Sequence, residues 1–163
     1  MPESDFKEGH VEADGFRVRY LEAGQGDSVV ILDSTAWGWS PLNDALAKTY
    51  RVVVFEVPGM GSSSPNTTSG SVNDLAGTMV QAAASVVSGK FTLIGTSFAA
   101  NVALRQTLLA PESVEALVLI SPTSIRPAAS APTQTLDEMK ARLSAHPENI
   151  PSLPFGLIDN LTQ

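Results

Sequence analysis

Cysteine is absent from the chain, which excludes disulfides and thiolate metal sites. Histidine occurs only at His10 and His146, too sparsely for a histidine-rich metal centre, and no metal is expected. Positive charge is also scarce. Ten Lys and Arg against 17 Asp and Glu leave a formal charge of -7, and the basic residues form no cluster. Nucleic acid and anionic membrane surfaces are therefore not expected as partners. No apolar run is long enough to span a bilayer. The opening MPESDFKEGH has no apolar core of a secretory leader. These absences together predict a soluble, cytoplasmic protein.

What remains is ordinary globular material. The chain has 163 residues, 43% of them hydrophobic, enough for one domain with a core. Residues 1–9 read as a frayed start. Asp14-Gly15 marks a hairpin turn between two short strands within 11–21. Phe16, Val18 and Tyr20 alternate with Arg17 and Arg19, which predicts one buried and one wet face. Val29-Val30-Ile31-Leu32 is a continuous apolar run, as expected of a strand covered on both sides. Ser40-Pro41 then opens a helix with a capping serine and a first-position proline, and Leu42, Ala45 and Leu46 supply its apolar face. Residues 51–57 form the next buried strand, which runs into the small-residue loop Pro58–Ser64. Ser71 and Asp74 make a capping box for an amphipathic helix over 71–87.

The informative stretch is Lys90–Ala110, KFTLIGTSFAANVALRQTLLA. An apolar strand run, Phe91–Ile94, passes through Gly95-Thr96-Ser97-Phe98-Ala99 into a helical pattern that Pro111 closes. A serine at a sharp strand-to-helix turn, with small residues two positions away on either side, is a nucleophile elbow. Only small residues there let strand and helix pack closely enough. A helix-capping serine is the alternative reading of Ser97. Residues 115–120, EALVLI, then form a fourth buried strand, ended by Ser121-Pro122. Four apolar strands alternating with three helices predict an α/β domain, with a mostly parallel sheet and helices on both faces. Beyond Ser124 the texture changes to Pro, Ala and Ser, and Thr135 with Glu138 caps one more helix.

In this order the chain resembles the α/β-hydrolase fold over roughly residues 10–125. Four segments carry the resemblance. They are the VVILD strand with its Trp/Gly-containing loop, the EVPGMGSS segment at 56–63, LIGTSFAA at 93–100, and PESVEALVLISP at 111–122. The EVPGMGSS segment is similar to the family's D-x-P-G-x-G-x-S with Glu56 in place of aspartate. Ala99 stands where the elbow pattern usually has glycine, and Asp33-Ser34 where the family usually has His-Gly. The resemblance implies a core over 1–124 and the start of a cap over 125–163. It implies Ser97 as nucleophile on a small apolar ester or related carbonyl substrate. The backbone of Phe98 and of Ser34, Thr35 and Ala36 would hold the oxyanion, and Trp37 and Phe98 would line the pocket. Trp39 is open between pocket lining and packing over the sheet's end. No cofactor is implied.

The family's later strands, which carry its acid and histidine, have no counterpart in the pattern after Ser121. His146 falls in a lid-like stretch and His10 before the first strand. The expectation is therefore an N-terminal portion of a longer hydrolase, or a chain that completes itself as a homo-oligomer through the exposed apolar edge at 115–120. The rival reading is a non-catalytic binding protein that keeps the pocket.

Overall fold

In a computed structural model that describes residues 5–33 and 39–122, the chain begins with a hairpin. Strand β1 (Lys7–Ala13) and strand β2 (Phe16–Ala23) pair antiparallel around Asp14 and Gly15. Both turn residues hold positive φ, 51° and 80°, which matches the turn to the twist of its strands. β1 starts earlier than expected. Lys7–Gly9 are ordered by pairing with Glu22, Leu21 and Tyr20 rather than frayed, and His10 lies inside the strand opposite Arg19.

Four further strands follow: β3 (Ser28–Asp33), β4 (Arg51–Glu56), β5 (Phe91–Thr96) and β6 (Val114–Ile120). Helices α1 (Pro41–Ala47), α2 (Val72–Val86) and α3 (Phe98–Leu109) connect them in turn. The sheet order is β1-β2-β4-β3-β5-β6. The pairs β3–β4, β3–β5 and β5–β6 are parallel, and β2 joins β4 antiparallel. The sheet is thus mixed but mostly parallel, an α/β-hydrolase-like arrangement.

This order dictates where the helices go. From β3 the chain steps one way to β4, then returns past β3 to β5 and continues outward to β6. With right-handed crossovers, that reversal puts α1 on one face and α2 and α3 on the other. Packing agrees. Val29, Ile31, Val52, Val54 and Ile94 form a buried cluster with Leu21, against which Trp39, Leu46 and Ala47 pack. The alternate residues Val30, Leu32, Val53, Phe55 and Leu93 are fully buried on the opposite side. Ser71 and Asp74 make the reciprocal capping box of α2, and Ser40 caps α1 ahead of Pro41.

Three expectations need correction. α1 does not bury Leu42 and Ala45, which are exposed. It buries Asn43 and Asp44, because Asp44 accepts a hydrogen bond from the Trp39 indole at 2.7 Å. Arg19 does not sit on a wet face, since it reaches the buried Glu56. β6 is not buried. Val118 and Ile120 are 42% and 40% exposed, because β6 is the outermost strand among the described residues. The expected cap over 125–163, with its Thr135 helix and His146, lies outside the described residues. None of the described helices is long and apolar enough to cross a membrane.

Leu93→Ala, at a fully buried position of β5, is expected to lower unfolding stability by about 2–5 kcal/mol. Leu108→Ala, on the exposed side of α3, should change it by no more than about 0.5 kcal/mol. Urea denaturation of both variants checks this placement of the core.

Candidate functional site

The reversal in strand order makes a crevice. At β3 one connection leads to β4 and the next element of the sheet on the other side is β5, so β3 and β5 flank a topological switch point. In open α/β sheets, ligands bind beyond the carboxyl ends of the strands at such a point. Leu32 of β3 is in register with Gly95 of β5. The loop that leaves Asp33 and the turn at Ser97 therefore start side by side.

Ser97 has φ 52° and ψ -121°, a conformation that residues with a side chain rarely adopt. Its strain is on the order of 1–3 kcal/mol and must be held by its surroundings. Two backbone hydrogen bonds hold it. The Ser97 N–H donates to the Ile120 carbonyl at 2.9 Å, and the Ala100 N–H donates to the Ser97 carbonyl at 3.2 Å. Ser97 occupies the position before α3 but its hydroxyl does not cap the helix. The capping alternative thus finds no hydrogen bond to support it. The serine is exposed, whereas Phe98, Ala99 and Ala100 behind it are buried.

Gly95 explains how the turn fits. A Cβ at this position would lie 2.6 Å from the Ala100 Cα, 2.7 Å from the Ala99 carbonyl oxygen and 2.8 Å from the Ala103 Cβ. The helix backbone rests directly on the strand, and no side chain can intervene. Ala99 is fully buried, and its methyl is accommodated where the family usually has glycine. Phe98 opens α3 and its side chain is buried at 6% exposure. Its N–H belongs to the first helical turn, whose N–H groups have no carbonyl one turn earlier to bond. The Ser97 N–H, by contrast, is committed to Ile120.

A second group at this edge has partners that the sequence pattern did not indicate. Glu56, at the end of β4, is in register with Asp33. Its Oε1 accepts from Arg19 at 2.5 Å and its Oε2 from the Ser62 N–H at 2.6 Å. Gly61, at φ 54°, passes so close that a Cβ there would collide with the Glu56 carboxylate. Ser63 donates to the Glu56 carbonyl and accepts from the Arg19 N–H, and Ser64 accepts from the Arg17 N–H. The loop after β4 is thereby stitched to β2 where the strand pairing stops. Arg19 also pairs with Glu8 at 2.9 Å. That hydrogen bond comes first among the causes that raise the guanidinium above its ordinary pKa and hold the Glu8 carboxyl below its own. The lost aspartate of the resemblance is thus a glutamate with a structural task.

Ser34, Thr35, Ala36 and Trp37 lie outside the described residues. Trp39 takes the packing role: it stacks on Phe6 with ring centroids 5.4 Å apart and binds Asp44. His10 is the one histidine among the described residues, and it is on β1. Four strand spacings, about 19 Å, separate β1 from β5, so His10 does not serve Ser97. A cleft of about 400 Å³ opens at the other end of β5, lined by Lys90, Phe91 and Val114 among others. It holds none of the candidate groups. No cluster of metal-ligating side chains occurs among the described residues.

Comparison with known proteins agrees with this fold. Residues 24–153 match the alpha/beta hydrolase fold family. A 2-hydroxy-6-oxononadienedioate/2-hydroxy-6-oxononatrienedioate hydrolase of Escherichia coli O81 (strain ED1a) is 33% identical over 113 residues, 64% of this chain and 39% of the relative. The dihydrolipoyllysine-residue acetyltransferase component of an acetoin cleaving system from Cupriavidus necator is 30% identical over 119 residues, 68% of this chain and 31% of the relative. The crystal structure of a membrane phospholipase A, a bacterial virulence factor, superposes with a TM-score of 0.69 at 27% identity. That match covers 77% of this chain and 43% of the other. The chain thus spans between about a third and two fifths of the curated relatives it matches.

Gly95→Val is expected to destabilise the fold by about 1–3 kcal/mol or more, since backbone and not a flexible side chain meets the added atoms. Ala99→Gly, which adds nothing to the crowded contact, should cost about 1 kcal/mol as a helix glycine. A wild-type urea midpoint for Gly95→Val would show that strand and helix are not in direct contact.

Proposed function

Because the chain belongs to the alpha/beta hydrolase fold family, we propose that it carries the nucleophile half of a serine-hydrolase site. Ser97 is the nucleophile. The Phe98 N–H and the backbone of Ser34–Ala36 receive the oxyanion, and Trp37 and Phe98 line the pocket. The substrate is a small apolar ester or a related carbonyl compound. An oxo-dicarboxylate of the kind named for the Escherichia coli relative falls within that carbonyl class.

The observation that carries the reading is the backbone of Ser97. A strained serine, exposed at a switch point and bonded through its own amide to the next strand, is arranged to present an oxygen. In the reaction, Oγ adds to the carbonyl carbon as its proton passes to a base, and the carbonyl oxygen takes up the negative charge. Backbone donors aimed at that oxygen lower the barrier, each by about 3–4 kcal/mol where such donors have been removed. The base and its orienting acid come from outside the described residues. Without a base the serine is a weak nucleophile, and catalysis falls to the level that binding and the oxyanion donors supply. A cytoplasmic setting belongs to the same reading, supported by the cysteine-free composition.

A second reading keeps the pocket without the chemistry, and it is favoured by the absence of a histidine near Ser97 among the described residues. A fluorophosphonate probe separates the two. The nucleophile reading expects labelling of the full chain that Ser97→Ala abolishes. An unlabelled but folded chain supports the binding reading, and labelling that survives Ser97→Ala removes the elbow assignment.

Association through residues 115–120 is also part of the proposal. Its support is a parallel outer strand on which Val118 and Ile120 are exposed. Light scattering should show species larger than 17.1 kDa that Val118→Lys with Ile120→Lys converts to monomer. A monodisperse wild-type monomer contradicts it.

A further inference from the structure

Three residues with a side chain hold a positive φ among the described residues: Asp14 at 51°, Ser97 at 52° and Ser121 at 50°. Glycine adopts this backbone at lower cost, so each side chain calls for a reason. Asp14 has one. It completes the β1–β2 turn, and its carboxylate accepts from the Thr78 hydroxyl at 3.2 Å. Ser97 has one in the nucleophile role. Ser121 has neither. It is in no hairpin, and no hydrogen bond of its hydroxyl occurs among the described residues. It also precedes Pro122, and proline pushes the residue before it toward extended backbone. Two local preferences are therefore overridden at one serine.

Its place is the second observation. β5 and β6 run in register to Thr96 and Ile120, and the Ile120 carbonyl accepts the Ser97 N–H. Ser121 follows that carbonyl directly and is exposed at the same end of the sheet. Two strained serines thus follow the ends of neighbouring parallel strands, and the hydrogen bond from Ser97 reaches the residue before Ser121. Backbone strain that the surroundings enforce gathers at ligand sites.

We propose that Ser121 contacts the substrate. Its hydroxyl donates a hydrogen bond to a polar group adjoining the reacting carbonyl, which biases the site toward substrates that carry an acceptor there. The proposal rests on Ser97 as nucleophile. It involves no covalent step. The strained backbone turns β6 off its line beside the elbow, and the hydroxyl supplies the donor.

Two fluorophosphonates of equal length test this on the full chain, one with a plain alkyl substituent and one with an ether oxygen close to phosphorus. Labelling rates are compared for the wild type, Ser121→Ala and Ser121→Gly. The wild type is expected to prefer the ether probe, and both substitutions should lower that preference about fivefold, the worth of one hydrogen bond. Ser121→Gly relieves the backbone, so its melting temperature should equal or exceed the wild type's, and it keeps the test open if the alanine variant does not fold. The same probe ratio in all three proteins overturns the role of Ser121 and leaves Ser97 standing. A wild type that neither probe labels overturns the nucleophile reading and this inference with it.

Discussion

The close seating of α3 on β5 is the constraint on which the rest depends. Gly95 has no side chain, and the helix backbone occupies the space one would need. A strand can turn into a helix that lies back on it at so short a distance only if one residue leaves the ordinary backbone regions. That residue is Ser97, and its strain is offset by the buried contacts of Ala99, Ala100 and Ala103 behind it. Packing energy is thereby used to hold one hydroxyl out of the fold. The hydrogen bond from Ser97 to Ile120 extends the same constraint to β6, where a second strained serine follows.

Topology decides what that hydroxyl meets. The reversal at β3 brings the carboxyl end of β3 beside the turn at Ser97, because Leu32 and Gly95 are in register. The same reversal sorts the helices between the faces of the sheet. On the neighbouring strand the Arg19–Glu56 pair and the serines at 62–64 fasten the loop that leaves β4. A buried pair of this kind adds little net stability, but losing one partner leaves a charge without compensation. Its value here is that it fixes the course of one loop bordering the crevice.

Much of this was legible in the sequence, for physical reasons that can be named. Continuous apolar runs at 29–32 and 52–55 marked strands covered on both sides. Asp14-Gly15 marked the hairpin, and Ser71 with Asp74 marked α2 through chemistry that is local to a few residues. The tight strand-to-helix turn at Ser97 could be read because its requirement, small residues at 95 and 99, is also local. What could not be read depends on contacts distant in the chain. Arg19 looked like a solvated face until Glu56, 37 residues away, was found opposite it. α1 buries Asn43 and Asp44 rather than Leu42 because Trp39 supplies a donor for Asp44. β6 has the composition of a central strand but sits outermost among the described strands, and composition carries no information about what lies on either side. The left-handed turn at Ser121 leaves no trace at all, since serine before proline predicts extended backbone.

The most direct test of the account is a crystal structure of the full chain after reaction with a fluorophosphonate. A phosphorus–oxygen bond at the Ser97 Oγ, positive φ at Ser97, and the Ala99 and Ala100 backbone in contact with Gly95 are expected. Phosphonate on another residue, or Ser97 with the negative φ of a regular helix, would contradict it.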